Sequence, residues 1–283
     1  MDTSTRNQAL TIKPITTALG AEIAGIDLSG PLAPETVKAL RQALLDHLVI
    51  FFRDQDLNAE QYLAFAHAIG EPMEYPFTKG LPDASLITPV IKEADEEVNF
   101  GGVWHSDTAY LEEPPMATML LARETPPYGG DTLFVSMTAA YDGLSSGMQR
   151  YLDGLVAVHD FSHGFKESLA EPGGRERLAD AVAANPPVRH PVVQTHPETG
   201  KKVLFVNALF TTHIEGLPPL ESAEVLQFLW RHASLPEFTC RFNWAPNSMV
   251  LWDNRSTQHK PVNDFFPATR RLHRVVSEGD QPY

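Results

Sequence analysis

The sequence predicts a mainly β fold with α elements: an antiparallel barrel or sandwich of jelly-roll type, covered by helices. Three observations lead there. Short apolar or alternating stretches recur through the central and C-terminal parts, amphipathic helical stretches stand between them, and 23 prolines and 18 glycines are scattered as turns rather than gathered into a linker. At 283 residues and 43% hydrophobic content the chain can build a sizeable core. It shows no internal repeat and no shift of composition, so residues 1–283 are read as one domain.

Taken in order, residues 1–8 are polar and expected to be mobile. Leu10-Thr11-Ile12-Lys13-Pro14-Ile15 alternates as a strand does, and 21–28 alternates again after Gly20, which predicts a small opening sheet. Pro34 and Glu35 open a helix with Val37, Leu40, Leu44 and Leu45 on one face, ending near His47. Leu48-Val49-Ile50-Phe51-Phe52 is continuously apolar and short, the pattern of a strand buried on both faces. Asn58 caps a second amphipathic helix that carries Tyr62, Leu63, Phe65, Ala66 and Ile69 and stops at Gly70. Residues 71–99 hold Pro72, Pro76, Pro82 and Pro89 with little periodicity and are expected to be an irregular active-site loop. Strands are predicted over 117–123 and 131–135, around the turn Tyr128-Gly129-Gly130, followed by helix over 139–155 and an exposed Ala-rich helix over 166–185. A hairpin is predicted for 192–195 and 202–206, an amphipathic helix for 220–232, and closing strands for 238–244, 249–252 and 271–276.

A net charge of −14 and a pI near 5.2 argue against a nucleic-acid backbone or an anionic membrane surface as the main partner, since both require clustered Lys and Arg. The single cysteine, Cys240, rules out an intrachain disulfide framework and a multi-cysteine metal centre, and is read as a small core residue. Residues 1–20 lack a basic stretch followed by an apolar run, and no apolar stretch reaches membrane-spanning length. A soluble, cytoplasmic protein is expected.

The candidate chemistry centres on Trp104-His105-Ser106-Asp107. Side chains at i and i+2 share a face only in extended chain, so a convergent His105 and Asp107 predict a strand or strand end. A lone His-x-Asp triplet is more often a surface loop. What alters the balance is His259, at the end of Trp252-Asp253-Asn254-Arg255-Ser256-Thr257-Gln258-His259. Two imidazoles and a carboxylate make the facial triad that leaves positions open on non-heme Fe(II). Arg270 lies eleven residues further on, followed by Arg274, and a rigid guanidinium there suits a carboxylate held by two parallel hydrogen bonds.

Trp-His-Ser-Asp at 104–107, Gly-Gly-Asp-Thr at 129–132, the motif at 252–259 and the spaced arginines together resemble the taurine dioxygenase family of Fe(II)/2-oxoglutarate-dependent oxygenases. The likeness runs from Leu10 to about residue 280. It implies a double-stranded β-helix core, iron bound by His105, Asp107 and His259, and 2-oxoglutarate chelating that iron through its keto acid end. Its far carboxylate would be held by Arg270, with a hydrogen bond from Thr132. The implied chemistry uses dioxygen, decarboxylates 2-oxoglutarate to succinate and CO2, and hydroxylates the substrate; a homo-oligomer is implied as well. Asp107 separates the chain from related halogenases, which leave that ligand position to chloride.

In the taurine enzymes an arginine four residues beyond the 2-oxoglutarate arginine grips the substrate sulfonate, and Arg274 has that place here. The resemblance therefore implies a small anionic substrate, with a sulfonate or sulfate ester favoured and a phosphonate or carboxylate open. Tyr75 matches a family tyrosine across a gap, and Phe161 and Phe210 fall at pocket aromatics, a core role being equally open for each. Gly101 replaces a family asparagine, and Glu71-Pro72-Met73 stands where a histidine is usual. These departures point away from taurine itself, toward a larger or less polar chain on an anionic head.

His47, His67, His159, His163, His190, His196, His213, His232 and His273 form no second triad and are expected to be structural or surface residues. Gly129-Gly130 lacks the rest of a phosphate loop, and Asp160-Ser162-His163 are too close in sequence for a hydrolase triad. Two rivals stay open: the same chemistry on a carboxylate or amino-acid-derived substrate, and a noncatalytic metal-binding jelly-roll sensor. A zinc hydrolase on the same ligands would leave Arg270 and Thr132 without a task.

Overall fold

The computed structural model describes residues 10–76, 78–97 and 101–283. The polar stretch 1–8 and residues 77, 98 and 99 of the predicted loop lie outside them.

The strand Val49–Phe52 is buried at every position, and its period of two sends alternate side chains to different cores. Ile50 and Phe52 join Leu40, Leu44, Tyr62 and Phe65 under the helices Pro34–His47 and Ala59–Ile69. Val49 and Phe51 join Phe134, Phe242 and Trp252 on the other face. This double burial is why the stretch reads as one continuous apolar run. It runs parallel to Ala21–Ala24 and antiparallel to Met249–Asp253, in a sheet that continues through Ala117–Glu124 and Arg270–Ser277 to Pro72–Met73. Thr88–Lys92 also pairs with Arg270–Ser277.

A second sheet, Thr239–Phe242, Thr132–Ser136 and Thr257–Pro261, is antiparallel throughout. Its Phe242 stacks on Phe51 of the large sheet at 4.4 Å, and its Phe134 meets the same ring edge-on at 5.8 Å. Each such buried aromatic contributes about 1.5–3 kcal/mol. The two sheets thus close over one aromatic core as a double-stranded β-helix, with helices on the outer face of the larger sheet.

Several expectations are corrected. Residues 71–99 are not wholly irregular but supply Pro72–Met73 and Thr88–Lys92 to the large sheet. Thr88–Lys92 pairs on one side only, so the missing N–H of Pro89 is tolerated as on any edge strand. The helix over 139–155 is two, Met137–Asp142 and Ser146–Leu152, N-capped by the hydroxyls of Ser136 and Ser145. They part at Gly143, where an added Cβ would meet the Phe238 ring at 2.6 Å. The stretch 166–185 breaks into Lys166–Ala170, Gly174–Arg177 and Ala179–Ala184. Asn58 caps its helix as expected, exchanging hydrogen bonds of 2.9 Å with Gln61. Among the described residues no helix is long and apolar enough to cross a membrane.

An unforeseen small sheet, Thr211–Ile214, Val156–His159 and Val188–Pro191, buries His159 against His190 at 5.2 Å between ring centroids. Burial, with the neighbouring His190, pulls His159 from its ordinary 6.5 down to about 3. The unfolded chain therefore binds a proton that the folded protein refuses between those values, and stability falls as the pH drops through that window. One such group contributes up to about 1.4 kcal/mol per pH unit. Urea midpoints measured from pH 7 to pH 4 are expected to fall, and to fall less steeply in His159→Gln; an identical slope in that variant would remove His159 as a source.

Candidate active site

His105 and His259 are joined by their backbones. The N–H of each donates to the carbonyl of the other, at 3.1 and 2.9 Å, in an isolated bridge that sets their rings 4.2 Å apart. The predicted strand end is thus a single bridged pair, and Asp107 stands in the turn that follows. That turn is held by Asn254, whose Oδ1 accepts from the Asp107 N–H at 2.8 Å and whose Nδ2 donates to the carbonyls of Asp107 and Pro115, both at 3.1 Å. The next residue, Thr108, takes φ 45°, a left-handed conformation costing a β-branched residue on the order of 1–3 kcal/mol.

The Nε2 atoms of His105 and His259 lie 3.9 and 4.0 Å from Asp107 Oδ1, and the three donor atoms all fall within 4.8 Å of one another. Such distances are too long for hydrogen bonds and suit donors that share a cation. The Val103 carbonyl sits 2.8 Å from His105 Nδ1, which places the proton there and leaves Nε2 its lone pair. Thr118 donates to Asp107 Oδ2 at 2.8 Å, away from the oxygen that faces the imidazoles. Burial holds both imidazoles neutral, His259 down at about 3. Burial alone would raise Asp107, but His259, Arg274 and His105, with the Thr118 hydrogen bond, hold it below the usual carboxylate range. Two neutral imidazoles and a carboxylate are the protonation state in which a divalent metal is bound. Gly101, at φ +75°, lies so close that a Cβ would stand 3.0 Å from the His105 ring, so a side chain there would crowd that ring.

The three donors open on a cavity of about 210 Å³ whose wall also includes Thr132, Arg270, Arg274, Tyr75 and Phe210. Val90, Leu120, Trp252 and Leu272 make its apolar lining. Arg270 is 5% exposed, donates to the Gly130 carbonyl at 2.7 Å and lies 5.1 Å over the Phe265 ring. Burial lowers its pKa to about 10, so it remains charged at neutral pH, and no carboxylate pairs with it among the described residues. Thr132 Oγ1 accepts the Trp244 indole N–H at 3.0 Å, which leaves the hydroxyl proton to donate elsewhere. Arginine and threonine together fit a carboxylate. The Arg274 guanidinium carbon lies 3.4 Å from the Tyr75 ring centroid, and its Nε is buried without a hydrogen-bond partner among the described residues.

Phe161 is the sequence-predicted site residue that the structure does not bring to the wall. It is fully buried, 5.2 Å from Tyr110 and 4.3 Å from Phe165, whereas Phe210, 4.9 Å from Tyr110, does line the cavity. Sequence reading missed Thr118, whose hydroxyl has no motif around it, and Lys92, a wall residue hidden in the proline-rich stretch. Asp253 and Arg255, both in the quoted motif, serve the frame instead. Asp253 accepts from His196 Nε2 at 2.9 Å and from Arg255 Nη2 at 2.8 Å, and Arg255 reaches Glu198 at 2.7 Å, which pairs in turn with Arg41.

Two buried imidazoles and a carboxylate facing a cavity, on a double-stranded β-helix, are the donor set of the mononuclear non-heme iron oxygenases. The chain matches the model of the family described as "Taurine catabolism dioxygenase TauD, TfdA family" over residues 11–276, and it belongs to that family. It is 33% identical over 277 residues to an alkylsulfatase of Acinetobacter baylyi, covering 96% of this chain and 86% of the relative. It is 33% identical over 284 residues to an alpha-ketoglutarate-dependent 2,4-dichlorophenoxyacetate dioxygenase of Cupriavidus pinatubonensis, covering 94% and 97%. The crystal structure of a taurine dioxygenase from Burkholderia xenovorans matches with a TM-score of 0.83 and 36% identity, over 96% of this chain and 90% of that one. The chain is an oxidoreductase, a dioxygenase of the class that uses Fe(II), 2-oxoglutarate and dioxygen.

Proposed function

We propose that the chain hydroxylates a carbon of a small organic anion, a sulfonate or sulfate ester by preference, as it decarboxylates 2-oxoglutarate to succinate and CO2. The observation that supports this reading is the presence of two cations, Arg270 and Arg274, on the same cavity as the triad. They alternate with Leu272 on one face of one strand, which separates them by about 13 Å along it. In this reading His105, Asp107 and His259 hold the iron, which supplies the site where dioxygen and the keto acid react. Arg270 and Thr132 hold the far carboxylate of 2-oxoglutarate. Arg274, braced on Tyr75, receives the anionic head of the substrate, while Phe210 and the apolar wall enclose its organic part and exclude water. Phe161 acts from behind Tyr110. Where the hydroxylated carbon bears the ester oxygen of a sulfate, the product falls apart to an aldehyde and sulfate. The likeness to an alkylsulfatase favours that version, and the equal identity to a 2,4-dichlorophenoxyacetate dioxygenase favours a carboxylate as the second reading.

Succinate formation across a panel of sulfonates, alkyl sulfates and aryloxyalkanoates tests the choice; stimulation by carboxylates alone would overturn the sulfur version. Arg274→Ala is expected to raise the substrate KM about 10- to 100-fold while 2-oxoglutarate affinity holds. Equal loss of both would mean that the two arginines do not divide the ligands in this way.

Residues 1–283 are read as one domain in which 71–99 serve as an active-site loop, a reading supported by Tyr75, Ile91 and Glu96 on the cavity wall. The acidic balance argues against nucleic-acid and membrane partners, and a cytoplasmic homo-oligomer remains the expectation, with light scattering as its check for assembly.

A further inference from the structure

Lys92 brings a second cation to the Arg270 end of the cavity. It is 4% exposed, in a protein whose net charge is −14. The register of Thr88–Lys92 on Arg270–Ser277 sets Lys92 opposite Arg270, Val90 opposite Leu272 and Thr88 opposite Arg274. Opposed residues of an antiparallel pair project from the same face, so the rung Lys92/Arg270 sets two cationic residues at neighbouring positions of the cavity wall. Like charges directly opposite are destabilising, and burial makes them more so.

Among the described residues no carboxylate lies within ion-pair distance of either cation, although the Asp264 charge acts on Arg270 from further off and Glu96 stands on the same wall. Lys92 Nζ lies 4.7 Å from the Phe265 ring centroid, and Arg270 shares that ring at 5.1 Å, contacts that soften the charges without cancelling them. One ammonium donor reaches the Glu93 carbonyl at 3.3 Å. The Glu93 carboxylate is turned to Arg271, at 2.9 and 3.0 Å, and the Glu96 carboxylate accepts from the Glu93 N–H at 2.7 Å. Two buried cations on one rung, neither in an ion pair among the described residues, form a place for an anion.

We propose that Lys92 binds the far carboxylate of 2-oxoglutarate, closing with Arg270 a two-cation clamp. The inference rests on the reading that Arg270 holds that carboxylate. Arg270 offers a planar fork, and Lys92 adds one charge-assisted hydrogen bond and a point charge from the facing strand. With the carboxylate between them, the repulsion of the rung becomes two attractions. The same clamp makes the site select a dicarboxylic keto acid over one with an uncharged tail.

The experiment is calorimetric titration of the Mn(II)-loaded full chain with 2-oxoglutarate and, separately, with 2-oxopentanoate, which keeps the keto acid end and lacks the far carboxylate. Lys92→Met is expected to weaken 2-oxoglutarate about 10- to 100-fold and leave 2-oxopentanoate within about twofold, with Lys92→Arg recovering most of the loss. Lys92→Gln carries the same test should Lys92→Met fail to fold, with thermal melts reporting folding. Equal weakening of both ligands, or of neither, overturns the role of Lys92. If wild-type protein shows no preference for 2-oxoglutarate, or Arg270→Leu keeps it, the reading of Arg270 fails as well. If Arg270→Leu abolishes the preference and the Lys92 variants retain it, the Lys92 inference alone falls.

Discussion

Asp107→Ala, His105→Ala and His259→Ala are each expected to lose Fe(II) on dialysis and to drop turnover by at least about a thousandfold. Loss of an outer partner of a metal site typically costs 10- to 100-fold, and loss of a ligand costs more, so Thr118→Val should show about the smaller figure. The three donors lie within 4.8 Å of one another, and removing one leaves two protein donors and a third position that only an ion or water from solution could fill. Metal content after dialysis, and the visible absorption of the anaerobic Fe(II)/2-oxoglutarate chelate, read this directly. A folded Asp107→Ala that keeps iron, chelate absorption and turnover would exclude the triad as the metal centre and move that centre to another site.

Asp253→Ala is expected to destabilise the fold by about 3–5 kcal/mol, the cost of breaking a buried ion pair by removing one partner. Asp253 is fully buried, and Arg255 and His196 both spend hydrogen bonds on it. Burial would raise its pKa, yet His196 and Arg255 hold it down at about 2, so it is ionised at neutral pH. Without it, Arg255 keeps the part-exposed Glu198 and His196 Nε2 loses its partner, one residue from Asn254, which sets the Asp107 turn. Urea unfolding of wild type and variant at pH 7 checks this. A loss below about 1 kcal/mol would place the network with solvated surface pairs instead.

The contrast between these two sites shows what was legible. His105, Asp107 and His259 could be picked out because metal chemistry demands particular residue types, and their motif carries that demand whatever the intervening chain does. Within the same motif Asp253 and Arg255 read identically as conspicuous polar residues, but their roles depend on His196 and Glu198 of a distant hairpin. Phe210 and Phe161 were equal candidates, and only the packing around Tyr110 puts one at the wall and the other behind it. Pro89 disguised an edge strand, and Lys92 with it, because proline suppresses a strand signal even where its missing N–H has no partner to lose.

The sequence by itself determined the class of fold, through strand-length apolar runs and helical periodicity, and a candidate metal triad; the reaction class came from the resemblance of its motifs to the taurine dioxygenase family. Periodicity and motifs are both local properties of the chain. Only the tertiary structure decided which side chains share the cavity, that a single backbone bridge aligns the two imidazoles, and that Lys92 faces Arg270. Those facts are cross-strand registers between segments far apart in the chain, and a register is set by the mutual burial of whole faces rather than by any residue's neighbours in sequence.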